Sequence, residues 1–314
     1  MSISPRSALI SRTHVPHHQS SAASCGADPH ARRTRAHVVA ALLAIGLAGA
    51  CGGSGASSTV SAADADKSIR DLIAVYQPGD PNKTSDFEDS AFRARVQALE
   101  RLRTAGPEVG RAALATFAAG AQTVTDIQQA LLDVAASNCP VETAPTLERL
   151  ITTYDGKVGE GLATRAVEIL ARTSPQRAIE LFEPLIRDPG AHQTRPSQES
   201  LIEGWTEAAS RLNAKDARVL CDVVVDLRQP PDARYAAVRG IAKFGGERAQ
   251  KALGSVLIEG ASDGNLRRKA AQTLLVIMPR KPFCELITEV SEHESDDIFL
   301  NFLADLLDKN CAGQ

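Results

Sequence analysis

Residues 232–257 read DARYAAVRGIAKFGGERAQKALGSVL. Leu253, Val256 and Leu257 fall on one side of a 3.6-residue period, and a Gly245-Gly246 break separates them from the apolar-rich run that begins Ala236-Ala237-Val238. Two amphipathic helices joined by a glycine turn are the expectation for this stretch.

The same pattern extends in both directions. Ile127, Ala130, Leu131, Val134 and Ala135 make one helical stripe, as do Ala163, Ala166, Val167 and Leu170, and later Leu303, Leu306 and Leu307. Short breakers separate the stripes: Gly106-Pro107, Asn138-Cys139-Pro140, Ser174-Pro175, Pro230-Pro231 and Asp263-Gly264. Ser174-Pro175 has the form of a helix start, with a capping serine before a proline whose missing N–H costs nothing at the first position. The apolar centres of every second helix are Val96, Leu131, Ala166, Ile202, Ala237 and Ala271, a spacing of about 35 residues. One such helix pair cannot bury both of its faces, so successive pairs must stack. The expectation is an all-α fold, an α-solenoid of about six antiparallel helix pairs over residues 87–314. Aromatic residues are only 4% of the chain, so the core must be built from aliphatic and small side chains, which favours helices over sheets.

The stretch 232–277 resembles the HEAT repeat in its short bacterial form. The matching residues are Ala236, Ala237, Val238, Arg239, Ile241, Ala242 and the Gly245-Gly246 turn, then Ala252, Leu253 and Leu257. Tetratricopeptide repeats share the length but place Trp, Gly and Tyr at fixed positions, whereas Trp205 does not recur. The resemblance extends over about residues 87–308. It implies a helical surface that binds another protein. Some bacterial HEAT-like proteins are instead lyases that attach bilin chromophores, and those work in the cytoplasm.

The N-terminal part has a different character. Residues 40–58 read AALLAIGLAGACGGSGASS, preceded by the basic cluster Arg32-Arg33-Thr34-Arg35. The uncharged run from Val38 to Ala50, at 1.5 Å per residue, falls well short of a ~30 Å bilayer core. A basic region, a short apolar region and small residues at the cut form a secretory signal, assigned to residues 1–50. Its long polar start is accounted for by a translation start placed too far upstream. Leu47-Ala48-Gly49-Ala50-Cys51 resembles the bacterial lipobox, which implies acylation (palmitate among the chains) at Cys51. Residues 51–60 then form a flexible tether. Gly52 after the cysteine, by resemblance to enterobacterial sorting, implies the outer membrane. Residues 61–86 comprise a short helix, with Ile69, Leu72, Ile73 and Tyr76 on one face, and a Pro/Gly-rich linker.

Charge and chemistry narrow the function. Removing the leader's five arginines and one aspartate leaves a body more acidic than the chain's formal charge of −3, which gives nucleic acid no footprint. The sequence lacks G-x-S-x-G, S-x-x-K, H-E-x-x-H, C-x-x-C and a phosphate-cradling glycine loop, so no catalytic residue and no cofactor is assigned. Glu292-His293-Glu294 has no second His or Cys at a ligand spacing, so no metal is assigned. His192 lies in the longest interruption, RDPGAHQTRPS, where loops of repeat proteins carry binding. Arg93, Arg234 and Arg268 each precede an aligned centre by the same offset, with Arg95 and Arg165 nearby in register. Stacked, they form either a row that grips an acidic partner or a set of ion pairs between neighbouring repeats. Cys139, Cys221, Cys284 and Cys311 allow three pairings. Cys284 and Cys311 share the last units, where a staple closes an end that lacks a neighbour.

The expectation is a lipid-anchored scaffold, assembly or docking factor at the bacterial cell envelope, held to the membrane by its lipid and bound to a protein partner, without catalysis. The alternatives are a carrier of an apolar ligand or lipid in the groove and a lyase-type enzyme.

Overall fold

The computed structural model describes residues 60–76, 85–120, 122, 124–153, 160–188, 196–258 and 263–311. The leader, Cys51 and the first part of the tether lie outside the described residues, as does His192. The described residues contain helices and no strand. In chain order they are α1 (Ala62–Tyr76), α2 (Ser85–Leu102), α3 (Pro107–Ala118), α4 (Thr125–Asn138), α5 (Pro140–Thr152), α6 (Glu160–Thr173) and α7 (Pro175–Arg187). There follow α8 (Gln198–Arg211), α9 (Arg218–Val225), α10 (Pro231–Ile241), α11 (Glu247–Ile258), α12 (Gly264–Ile277), α13 (Arg280–His293) and α14 (Asp297–Cys311). The fold is all-α.

Local chemistry sets the helix starts. Pro107, Pro140, Pro175 and Pro231 each occupy the first turn, where a missing N–H breaks no intrahelical bond. Ser197 Oγ accepts from Ser200 N at 3.2 Å, and Asp263 Oδ1 accepts from Asn265 N at 3.1 Å, capping α8 and α12. Ser174 departs from its expected role. It precedes Pro175, but its side chain makes no capping bond, so the proline alone marks that start. Gly245 and Gly246 turn the chain with φ of +65° and +90°, a region that side chains with a Cβ rarely occupy.

The aligned centres fall on α2, α4, α6, α8, α10 and α12, and each of these helices packs on the next of that set, with α14 after α12. Helices α7, α9, α11 and α13 form a parallel series that also packs in order. The two helices of the quoted stretch do not pack chiefly on each other. Helix α10 lies against α8, α9 and α12, and α11 against α9, α12 and α13. The reason lies on the small face of α10. A Cβ on Gly240 would stand 2.6 Å from Thr206 Oγ1 on α8 and 2.8 Å from Leu220 Cδ1 on α9. Glycine is what lets α10 approach both.

Helix α4 is buried on both sides. Leu131, Val134 and Ala135 join a core cluster with α1 and α3, while Leu132 and Ala136 belong to the larger core that runs on to Leu306. Helix α1 is part of this packing, with Ala65, Ile69 and Leu72 buried and Ile73 and Tyr76 packed beside them. Side-chain amides tie the units together. Asn138 Nδ2 donates to Leu102 O at 2.7 Å while its Oδ1 accepts from Gly106 N at 2.8 Å. Gln229 and Gln250 donate to Ile186 O and Ile277 O, each at 3.0 Å. These donors satisfy carbonyls at helix ends that have no intrahelical partner. Among the described residues, no helix is long and apolar enough to cross a membrane.

Candidate functional site

Between Ala130 and Ala136 every residue of α4 is buried, and one of them is an acid. Asp133 is 2% exposed. A carboxylate removed from water at this depth requires cations, and three guanidiniums supply them. Arg165 on α6 donates to Asp133 Oδ2 from Nε at 3.2 Å and also from Nη2. Arg172, two turns further along α6, donates from Nη2 to Oδ1 at 2.9 Å. Arg103, just past α2, brings its Nη2 to 3.7 Å from Oδ2. Three consecutive members of the stacked series thus meet on one carboxylate.

A second tier surrounds them. Glu100 accepts from Arg103 Nη1 at 2.6 Å, and Glu168 pairs with Arg165 Nη1. Both glutamates are more than half exposed, at 57% and 54% of their side chains, while the three arginines are at 16–18%. Burial of Arg165 pulls its pKa down, but the charges and hydrogen bonds of Asp133 and Glu168 together more than reverse this and the net shift is upward. Tyr76, at the end of α1, feels the charge of the same acid. Its pKa is raised, first by burial and then by the Asp133 charge, against a lowering by Arg95, whose guanidinium sits 5.2 Å from the ring centroid.

The device recurs further along. Arg239 on α10 bridges Glu199 and Glu203 on α8, at 2.9 and 2.5 Å, and Lys243 reaches Glu207 at 3.8 Å. Among the remaining helices Arg111 on α3 pairs with Glu142 on α5 at 3.1 Å, Arg177 on α7 with Glu148 on α5, and Arg187 on α7 with Asp222 on α9 at 3.5 Å.

The residues singled out in the sequence are not brought together as a row. Arg234 is 7% exposed and turned inward, its Nε donating to Val224 O at 2.9 Å. It therefore lines no partner surface, because its guanidinium satisfies the open end of α9. Arg268 is half-buried on α12 and reaches Asn265 Oδ1 at 3.2 Å. Its neighbour Arg267 is the true equivalent of Arg234, donating from Nε to Leu257 O at 3.1 Å. Arg93 is exposed on α2. Arg95 donates to Val75 O at 3.4 Å.

The acidic segment 292–294 is divided. His293 Nδ1 lies 2.9 Å from Glu289 O, whereas Glu294 is buried against Arg267 and accepts from the Ser295 and Asp296 N–H groups at 2.8 Å. No group of His, Cys, Asp and Glu able to hold a metal ion occurs among the described residues. Cys284 and Cys311 are joined in a disulfide with a Cα separation of 5.8 Å, and Cys139 and Cys221 are buried free thiols.

No protein-family model and no curated protein matches this chain. Among solved structures, human deoxyhypusine hydroxylase in complex with glycerol is 14% identical, with a TM-score of 0.31 over 76% of this chain and 95% of its own. A likeness at that level carries no argument here.

Sequence reasoning singled out Arg165 but missed Asp133, Arg103 and Arg172. A signal was present, since ALLDVAA places a single acid inside an otherwise apolar run on a helix with two buried sides. An acid so placed must have cationic partners from other elements.

Proposed function

We propose that the chain is a lipid-anchored α-solenoid of HEAT type, with about six helix pairs, acting as a protein-binding scaffold or docking factor at the bacterial cell envelope rather than as a catalyst. The observation that supports this reading is the ordered packing of α2, α4, α6, α8, α10, α12 and α14, each on the next. That order sets the polar faces of successive helices side by side, and the Asp133 cluster and the Arg239 bridges hold them in register. Stacked helices of this kind offer a protein partner a continuous row of helix faces. The lipobox-like segment ending at Cys51 supports the anchor, and two or more acyl chains there suffice for stable attachment. Gly52 favours the outer membrane.

The test is cross-linking in whole cells with the tagged full-length protein, followed by mass spectrometry of its N-terminus and its partners. A diacylglyceryl group on Cys51 and one dominant protein partner is the expected result. An unmodified N-terminus, or a co-purifying lipid with no protein, overturns the reading and favours the carrier.

A further inference from the structure

Successive turns on one edge of the fold each carry an exposed aliphatic side chain. They lead from α9 to α10, from α11 to α12 and from α13 to α14. Leu227 follows α9, Ile258 ends α11 and Ile298 lies in the first turn of α14, each 60–68% exposed. Arg267 shows that the last two turns are adjacent. It donates to Leu257 O, next to Ile258, and its guanidinium lies 4.0 Å from the ring centroid of Phe299, next to Ile298. Arg234 makes the equivalent bond to Val224 O beside the first turn, and α10 packs on α12. Single exposed aliphatics are ordinary, but their recurrence at the same turn of successive units forms a row.

The fringe of this row is acidic. Asp232 and Asp297, in the first turns of α10 and α14, and Glu292, near the end of α13, are exposed and have no ion-pair partner among the described residues. Asp263 and Asp296, which accept backbone N–H groups at the starts of α12 and α14, add to the negative side, against half-buried Arg268 and Lys269. Arg228, the exposed cation of the first turn, is neutralised within it by Asp226 at 2.9 Å. Acids at helix starts suit the helix dipole, which accounts for their position but not for the aliphatic side chains between them.

We propose that this edge docks an extended segment of the partner protein carrying one cationic and one large aliphatic side chain in every three residues. Its aliphatic groups cover Leu227, Ile258 and Ile298, and its cations meet Asp232, Asp297 and Glu292. The repeat follows from geometry, since helices of one layer stack about 10 Å apart and an extended chain covers that step in about three residues. The same charges disfavour other occupants. An anionic bilayer would be repelled, and a second copy would set like charges against each other across a two-fold axis.

This inference deepens the scaffold reading and rests on it, while its test does not involve the anchor. The full chain is titrated at low salt with a fluorescein-labelled peptide of repeated Lys-Leu-Gly triplets, and with control peptides in which Glu replaces Lys or Ser replaces Leu. Ile258→Ser with Ile298→Ser, both at exposed positions, is expected to weaken binding roughly tenfold, and Asp232→Asn with Asp297→Asn roughly three- to fivefold. Val276→Ser, exposed at the far end of α12, is expected to leave binding unchanged with the helical signal retained throughout. No binding, equal binding of either control peptide, or an equal loss with Val276→Ser overturns the proposal. Displacement of the peptide by phosphatidylglycerol vesicles overturns it in favour of a membrane-facing edge, and a dimer that the two serine substitutions dissociate overturns it in favour of self-association. A partner captured in whole cells equally by the doubly substituted chain leaves the scaffold reading standing and overturns this edge alone.

Discussion

Arg234 and Arg267 do the same thing in neighbouring units: each Nε donates to the carbonyl ten residues earlier, Val224 O at 2.9 Å and Leu257 O at 3.1 Å. Arg267 does more. It pairs with buried Glu294, each side chain 7% exposed, and its guanidinium lies 4.0 Å from the centroid of Phe299. Removing one partner of a buried pair leaves the other charge uncompensated. Arg267→Gln is expected to cost about 3–5 kcal/mol in urea unfolding. Arg268→Gln, one residue on, is expected to change stability by about 0.5 kcal/mol or less.

The same pair gives a pH dependence. Burial alone would raise the pKa of Glu294, but hydrogen bonds from Arg267 and from the Asp296 and Ser295 N–H groups outweigh it, and the net shift is below the ordinary 4.5. A depressed folded-state pKa stabilises fully above the unfolded value and is lost as pH falls through the folded one. The contribution should therefore be constant from neutral pH down to the ordinary glutamate range and decline only below it. Thermal melts of Glu294→Gln should lie below wild type at pH 7 and converge with it in acid. A difference between the two that is unaffected by pH would refute this account.

Asp133 is the counter-charge for three guanidiniums, and no surface glutamate can reach its place. Asp133→Ala is expected to destabilise by about 3–5 kcal/mol in urea unfolding, far more than removing any exposed pair. Glu168→Gln, at the rim of the same cluster, is expected to stay within about 1 kcal/mol of wild type.

Two glycines permit close helix approach. A Cβ on Gly240 would collide with Thr206 and Leu220, and one on Gly204 with Val167 and with Phe182 at 2.9 Å. Gly240→Ala and Gly204→Ala are each expected to cost about 1–3 kcal/mol through overpacking, although alanine is the better helix former. Differential scanning calorimetry distinguishes this from the gain that propensity alone would give.

The cysteines divide by environment. The disulfide closes a sequence separation of 27 residues, worth about 3–4 kcal/mol on the chain-entropy account. Cys284→Ser, or reduction, should raise hydrogen exchange over residues 280–311 before the rest of the chain responds. Burial pushes the Cys221 thiol up to about 11 and raises that of Cys139 as well. At pH 8 the Cys221 thiolate fraction is then on the order of one in a thousand, so iodoacetamide should modify neither thiol until the protein is unfolded.

Helix positions and the all-α class were legible because they depend on neighbours three and four residues away. The stripe Ile127–Ala135, the N1 prolines and the Gly245-Gly246 turn are local events, and local periodicity reports them. What lay beyond the sequence was which helix each helix packs on and which polar groups are buried. The pattern in 232–257 shows two helices but not that α10 turns its glycine face back to α8 and α9. It could not distinguish Arg267 from Arg268, because the two alternatives differ by a single step around a helix. Nor could it show that Asp133 would be buried, since its partners come from α6 and from the segment after α2, some 30 residues away in either direction. Apolar burial tolerates such a slip, because hydrophobic contact is non-directional. A guanidinium or a carboxylate does not, because its free energy depends on a specific partner at hydrogen-bond distance, and only the tertiary structure supplies that partner.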